Sequence, residues 1–177
     1  VAALIAYIMA PAVEAVEPGL GGLRYLAGVA FAVLLTLSLL LHELSHALMA
    51  RRYGIAANSI TLHFIGGVTA IESEPRTPKQ EMAISGIGPV TSLAIGLAAL
   101  ALFQVTPGGL LSLVVGGLAG ANLIVGVLNL VPGLPLDGGH VLRAAVWRVT
   151  GDPHRATTFS GWAGRVVAVT ALALPLL

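Results

Sequence analysis

From Leu26 to Ala50 the chain runs for twenty-five residues in which the only ionisable side chains are His42, Glu43 and His46. An apolar run of that length crosses a bilayer with some tilt. Similar runs follow at Ala83 to Val105, Leu110 to Val131 and about Phe159 to Leu177, and a shorter one opens the chain at Val1 to Val13. Only 10% of the residues are charged, where an ordinary soluble domain carries about 25%. So few charges cannot cover the surface of a soluble fold. The sequence predicts an all-α polytopic membrane protein with about five to six transmembrane helices.

Two segments depart from plain spans. Thr61 to Ile71 is rich in β-branched residues around Gly66 and Gly67. It reads as a small membrane-associated β-hairpin or strand, which at that depth needs a cover of protein or a wet cavity. His140 to Thr150 places Val141, Leu142, Ala145, Val146 and Val149 on one side of a helix and Arg143 and Arg148 elsewhere, the pattern of an interfacial helix. Along the Leu110 run, Gly116, Gly120 and Gly126 favour close helix packing, and Asn122 is expected to hydrogen-bond between helices. These glycine faces leave homo-oligomer formation open. Residues 1–177 read as a single membrane core. The valine at position 1 and the apolar final run suggest a core cut from a longer protein, one that leaves room for a C-terminal regulatory domain.

Charge sets the orientation. Arg51, Arg52, Arg76, Lys79, Arg143, Arg148 and Arg155 fall in loops on one side, and Arg24 lies with Glu14 and Glu17 on the other. By the positive-inside rule the basic side is cytoplasmic. The net charge of +1 offers no basic stripe of the kind nucleic-acid binding requires. With no cysteine in the chain, any metal must be held by His, Asp or Glu.

Such ligands are present where they are most costly. "HELSH", His42 to His46, fits H-E-x-x-H: one helical turn separates the histidines, so both imidazoles reach one metal ion while Glu43 approaches a water beside it. The alternative, two buried histidines satisfied by backbone carbonyls, keeps three polar groups at bilayer depth with no joint task, against the usual functional role of such residues. A zinc site with two histidines needs a third protein ligand and an open position. Glu14 and Glu17 are on the opposite side. Glu72, Glu74 and Glu81 read as solvated charges in a polar loop, and Asp152 belongs to a "GDP" turn. Asp137, closing "NLVPGLPLD", is either a ligand or the N-cap of the helix that follows.

"HELSH" within a span, joined to "NLVPGLPLDGG" at the end of a later one, resembles the site-2 protease family of intramembrane zinc metalloproteases. "FIGGVTAIE" and "SGIGPVTSL" are similar to that family's glycine-containing strand and the Gly-Pro start of its next span. The resemblance implies one zinc ion per chain held by His42, His46 and Asp137, with Glu43 as general acid and base. It implies a substrate contact from Asn129; separately, the strand offers an edge to which an extended substrate can add, with Gly66 and Gly67 permitting close backbone approach. The implied substrates are transmembrane segments of membrane-anchored proteins, cleaved in the bilayer from a cytoplasmic-side active site, usually after another protease has trimmed them. No PDZ domain interrupts the sequence, a departure from some members. The competing readings are a metal-ion transporter, which needs binding weak enough to release the ion, and a non-catalytic membrane scaffold.

Overall fold

The computed structural model of the protein describes residues 2–63, 66–71 and 73–174. Among the described residues are six α-helices and a small hairpin: α1 (Ala2–Val16), α2 (Arg24–Arg52, entered through a 3-10 turn at Gly21–Leu23), β1 (Ala57–His63), β2 (Gly66–Ile71), α3 (Pro78–Val105), α4 (Gly109–Asn129), α5 (Asp137–Thr150) and α6 (Pro153–Ala173). Among the described residues, three helices are long and apolar enough to cross a membrane: Gly21–Arg52, Pro78–Val105 and Gly109–Asn129. At about 1.5 Å per residue, the 29 residues of α2 reach about 43 Å, longer than a hydrocarbon core of about 30 Å. Large apolar side chains such as Val33, Leu37, Leu41, Leu97, Leu102, Ile124 and Val127 point outward. In water such an outer surface would be a liability; in lipid it is a solvent match.

Helices meet where small residues let backbones approach. A Cβ on Gly28 would fall on the Ala6 backbone, joining α1 to α2. Between α3 and α4, a Cβ on Gly96 would come within 2.8 Å of Leu123 and one on Gly126 within 2.7 Å of Leu93. Gly116 packs against the Phe103 ring in the same way, whereas Gly120 has nothing within reach of an added Cβ. The expectation for these glycines holds at two of three positions. Asn122 is buried, but its amide donates to Leu118 O in its own helix, 3.0 Å away, rather than across helices as expected.

β1 and β2 pair antiparallel, with Ile60 opposite Thr69, Leu62 opposite Gly67 and His63 opposite Gly66. The hairpin predicted over Thr61 to Ile71 is therefore present, begins four residues earlier, and packs on α2. Residues 64 and 65 of that stretch lie outside the described set. The predicted interfacial helix is α5, starting at Asp137 rather than His140. Glu81 departs most from its expected setting. Thr77 caps α3, accepting from the Gln80 N–H at 3.3 Å, and Pro78 opens it. The helix thus begins five residues ahead of the apolar run, and Glu81 lies inside its first turn, 2% exposed.

Candidate metal centre

Helical spacing turns His42 and His46 to the same face of α2, and both are buried. The third group arrives from far along the chain. After α4 ends, residues 130–136 turn back, and α5 starts with Asp137 in its first turn. Leu136 is the N-cap and makes no side-chain cap bond, so Asp137 does not serve as the N-cap that its sequence context allowed. Its carboxylate points at the histidines. His42 Nε2 and His46 Nε2 are 3.2 Å apart, and Asp137 Oδ2 lies 3.2 Å from the first and 3.4 Å from the second. Bonds of about 2.0–2.1 Å to a tetrahedral zinc put neighbouring ligand atoms about 3.3 Å apart. The triangle fits that ion. These are the three groups among the described residues whose ligand atoms gather closely enough to hold a metal. Burial pushes the Asp137 carboxyl up, but in the metal-free site donation from the protonated imidazoles of His42 and His46 outweighs it and holds it at about 2; a metal ion would take the place of those protons. The carboxylate stays an acceptor across the neutral range.

The α3 helix braces both imidazoles from behind. The Ile84 carbonyl can only accept, so His46 Nδ1 donates to it at 2.6 Å, and the neutral imidazole, the form that binds metal, then offers a bare Nε2. His42 Nδ1 lies 2.9 Å from Ser92 Oγ; donation there leaves its Nε2 in the same state. Between these two braces sits Gly88, where a Cβ would overlap His46 Nε2 and come within 2.7 Å of His42 Nε2. Only a residue without a side chain leaves that space clear. Glu81, Ile84, Ser85, Gly88 and Ser92 are all buried and recur at helical spacing along one face of α3.

Glu43 is buried beside the triangle. Thr69 Oγ1 donates to Glu43 Oε2 at 2.7 Å and contacts the Glu43 carbonyl at 3.0 Å. A Cβ on Gly67 would overlap the Glu43 side chain and lie 2.7 Å from Oε1. The glycine of the strand thus leaves room for the carboxylate, and the threonine two residues on fixes one of its oxygens.

His42, Glu43, His46 and Asp137 line a cavity of about 660 Å³ together with Gly67, Thr69 and Asn129. Asn129 is half-buried at the end of α4. Gly66 opens β2 opposite His63, one residue from the cavity lining. The same cavity reaches a polar cluster absent from the sequence reading: Arg143 Nη1 donates to Glu81 Oε1 at 2.7 Å, with His140 Nδ1 at 3.4 Å from that oxygen and Glu74 3.6 Å from the guanidinium. Glu72 lies outside the described residues.

Comparison with known proteins agrees with this geometry. The sequence matches peptidase family M50 over residues 30–117 and 108–174. It is 46% identical over 156 residues to Rip3 of Mycobacterium tuberculosis, covering 86% of this chain and 40% of that protein. To sll0528 of Synechocystis it is 37% identical over 155 residues, covering 87% and 41%. Both relatives are named as zinc metalloproteases. The fold matches a site-2 protease from Methanocaldococcus jannaschii with a TM-score of 0.65 and 27% identity, covering 99% of this chain and 77% of that one. The chain spans about two fifths of the curated relatives' length. Apolar helices of spanning length, a His-His-Asp group fit for zinc and these matches over most of the sequence identify an integral membrane protein that belongs to peptidase family M50.

Proposed function

We propose that the chain is the core of an intramembrane zinc endopeptidase that hydrolyses peptide bonds in or near transmembrane segments of other proteins. The observation that carries this reading is the convergence of His42 Nε2, His46 Nε2 and Asp137 Oδ2, with Glu43 beside them, on one cavity. His42, His46 and Asp137 are the ligands of one zinc ion per chain. Bound there, zinc lowers the pKa of a water to about 7 and polarises a peptide carbonyl. Glu43 is the general base and then the general acid. Thr69 occupies Oε2, so Oε1 is the atom that takes the proton from water and returns it to the leaving amine.

A peptide must be extended before its bond can reach the site. The strand at Gly66 and Gly67 offers a backbone edge for such a segment, and side-chain-free residues let the substrate backbone come close. Asn129, on the cavity wall, contacts the substrate main chain. The basic loops assign the cavity mouth to the cytoplasmic side. With α1 and α6 counted beside the three long apolar helices, the core holds five spans as one domain, within the expected five to six.

The test is hydrolysis of a membrane-embedded peptide by the purified protein. Glu43→Gln should lower turnover by about 10²–10⁴-fold or more while the protein keeps its zinc. Cleavage at the wild-type rate by that variant would overturn the role of Glu43. Metal flux across vesicles without cleavage would favour a transporter.

A further inference from the structure

The turn that leads to the third ligand packs on α6, a helix with no extensive contact among the described residues to α2, which carries the other two. We infer that α6 positions Asp137, with Gly164 as the positioning residue; the inference rests on the reading of Asp137 as a zinc ligand.

The strip that leads into α5 is tied to α6 by its backbone. The Leu134 N–H donates to Ser160 O of α6 at 3.3 Å, and Ser160 is fully buried. One turn later on α6, a Cβ on Gly164 would overlap the Leu134 carbonyl oxygen and lie 3.0 Å from Leu134 N. From the opposite direction a Cβ on Gly133 would meet Gly164 Cα. The far side of the strip is equally tight. A Cβ on Gly139 would overlap the Gly133 carbonyl carbon and Leu134 N, and one on Gly138 would overlap Leu130 O. Three layers of backbone are therefore stacked without intervening side chains: α6 at 160–164, the strip at 133–134, and the first turn of α5. Asp137 is three residues past Leu134 and opens that turn.

Such a stack transmits displacement. Close-packed interiors have little slack to absorb an added methyl group. An alanine at 164 forces the strip to move, and the strip has α5 directly behind it. Metal–ligand distances tolerate only about 0.2 Å. α6 packs on α5 and makes no comparable contact with α2 or α3, the helices that hold and brace the histidines. A change on α6 therefore reaches the metal by way of α5, which opens with Asp137 and also packs on α3; the double variant Gly164→Ala/Asp137→Ala separates the two routes. Gly161, on the same helix, has nothing within reach of an added Cβ and provides an internal control.

The experiment is zinc affinity by chelator competition on the purified full chain. Relative to wild type, Gly164→Ala should weaken binding about 10–100-fold, the range found when an outer partner of a ligand is lost. Gly161→Ala should bind as wild type does. The double variant Gly164→Ala/Asp137→Ala should bind no more weakly than Asp137→Ala alone. On the unmutated protein, zinc should slow amide hydrogen exchange at 133–134 and 160–164, and Asp137→Ala should abolish that protection; this measurement stands even where Gly164→Ala does not fold. Wild-type affinity in folded Gly164→Ala, full additivity in the double variant, or no zinc-linked protection on α6 would each overturn the inference. Unchanged zinc affinity in Asp137→Ala would instead overturn the assignment of the ligand beneath it.

Discussion

The histidine side and the carboxylate side of the metal group are built by different means. His42 and His46 sit within a regular helix, and each is held through its second ring nitrogen, Nδ1, by a hydrogen bond to Ser92 Oγ and to the Ile84 carbonyl respectively. Asp137 begins a helix after an irregular turn and is held by backbone packed on backbone around Gly133, Gly138, Gly139 and Gly164. The difference follows from the ligands. An imidazole binds metal only through a bare nitrogen, so its proton must be fixed on the other one. A carboxylate ionised across the neutral range has two oxygens ready and needs only to be aimed.

The histidine side should be the more sensitive to an added methyl group. Gly88→Ala puts a methyl group where both Nε2 atoms point, so zinc binding should be lost while the helical circular dichroism signal stays. Retained zinc in that variant would mean α3 does not abut the ligands as described. Ser92→Ala removes one brace and no ligand. Zinc affinity should fall about 10–100-fold, and Ser92→Thr, which keeps the hydroxyl, should lose less; equal losses would show that volume matters rather than the hydrogen bond.

The smallest effect is expected far from both sides. Asp152 caps α6, accepting from the His154 and Arg155 N–H groups at 2.8 and 3.2 Å. The bond from the Arg155 backbone is the largest influence, and it helps hold the carboxyl below its ordinary value. A depressed carboxyl stabilises fully above its unfolded pKa and loses that contribution as pH falls through the folded one. Thermal melts of Asp152→Ala should therefore lie slightly below wild type at neutral pH and converge with it in acid. A constant gap across pH would assign the effect to something other than the charged cap.

The sequence exposes the histidine side more readily than its support. His42, Glu43 and His46 follow from a four-residue helical spacing in an apolar run, and Asp137 stands out because prolines and glycines break the chain before it. The bracing face of α3 is hidden for a physical reason. Ile84, Ser85, Gly88 and Ser92 recur at the same spacing that any packed transmembrane helix uses, and small residues there look like close packing. Glu81 looked solvated because the apolar run begins only at Ala83, although "TPKQ" carries the Thr and Gln spacing of a helix start. The stack at Gly164 was out of reach, since no local pattern tells which distant backbone a glycine will meet.

The most direct test of the account is zinc per chain in the purified protein, measured beside Asp137→Ala. About one zinc in wild type and a marked loss in the variant are the predicted results. No zinc in wild type, or an equal amount in both, would contradict the three-ligand site at its centre.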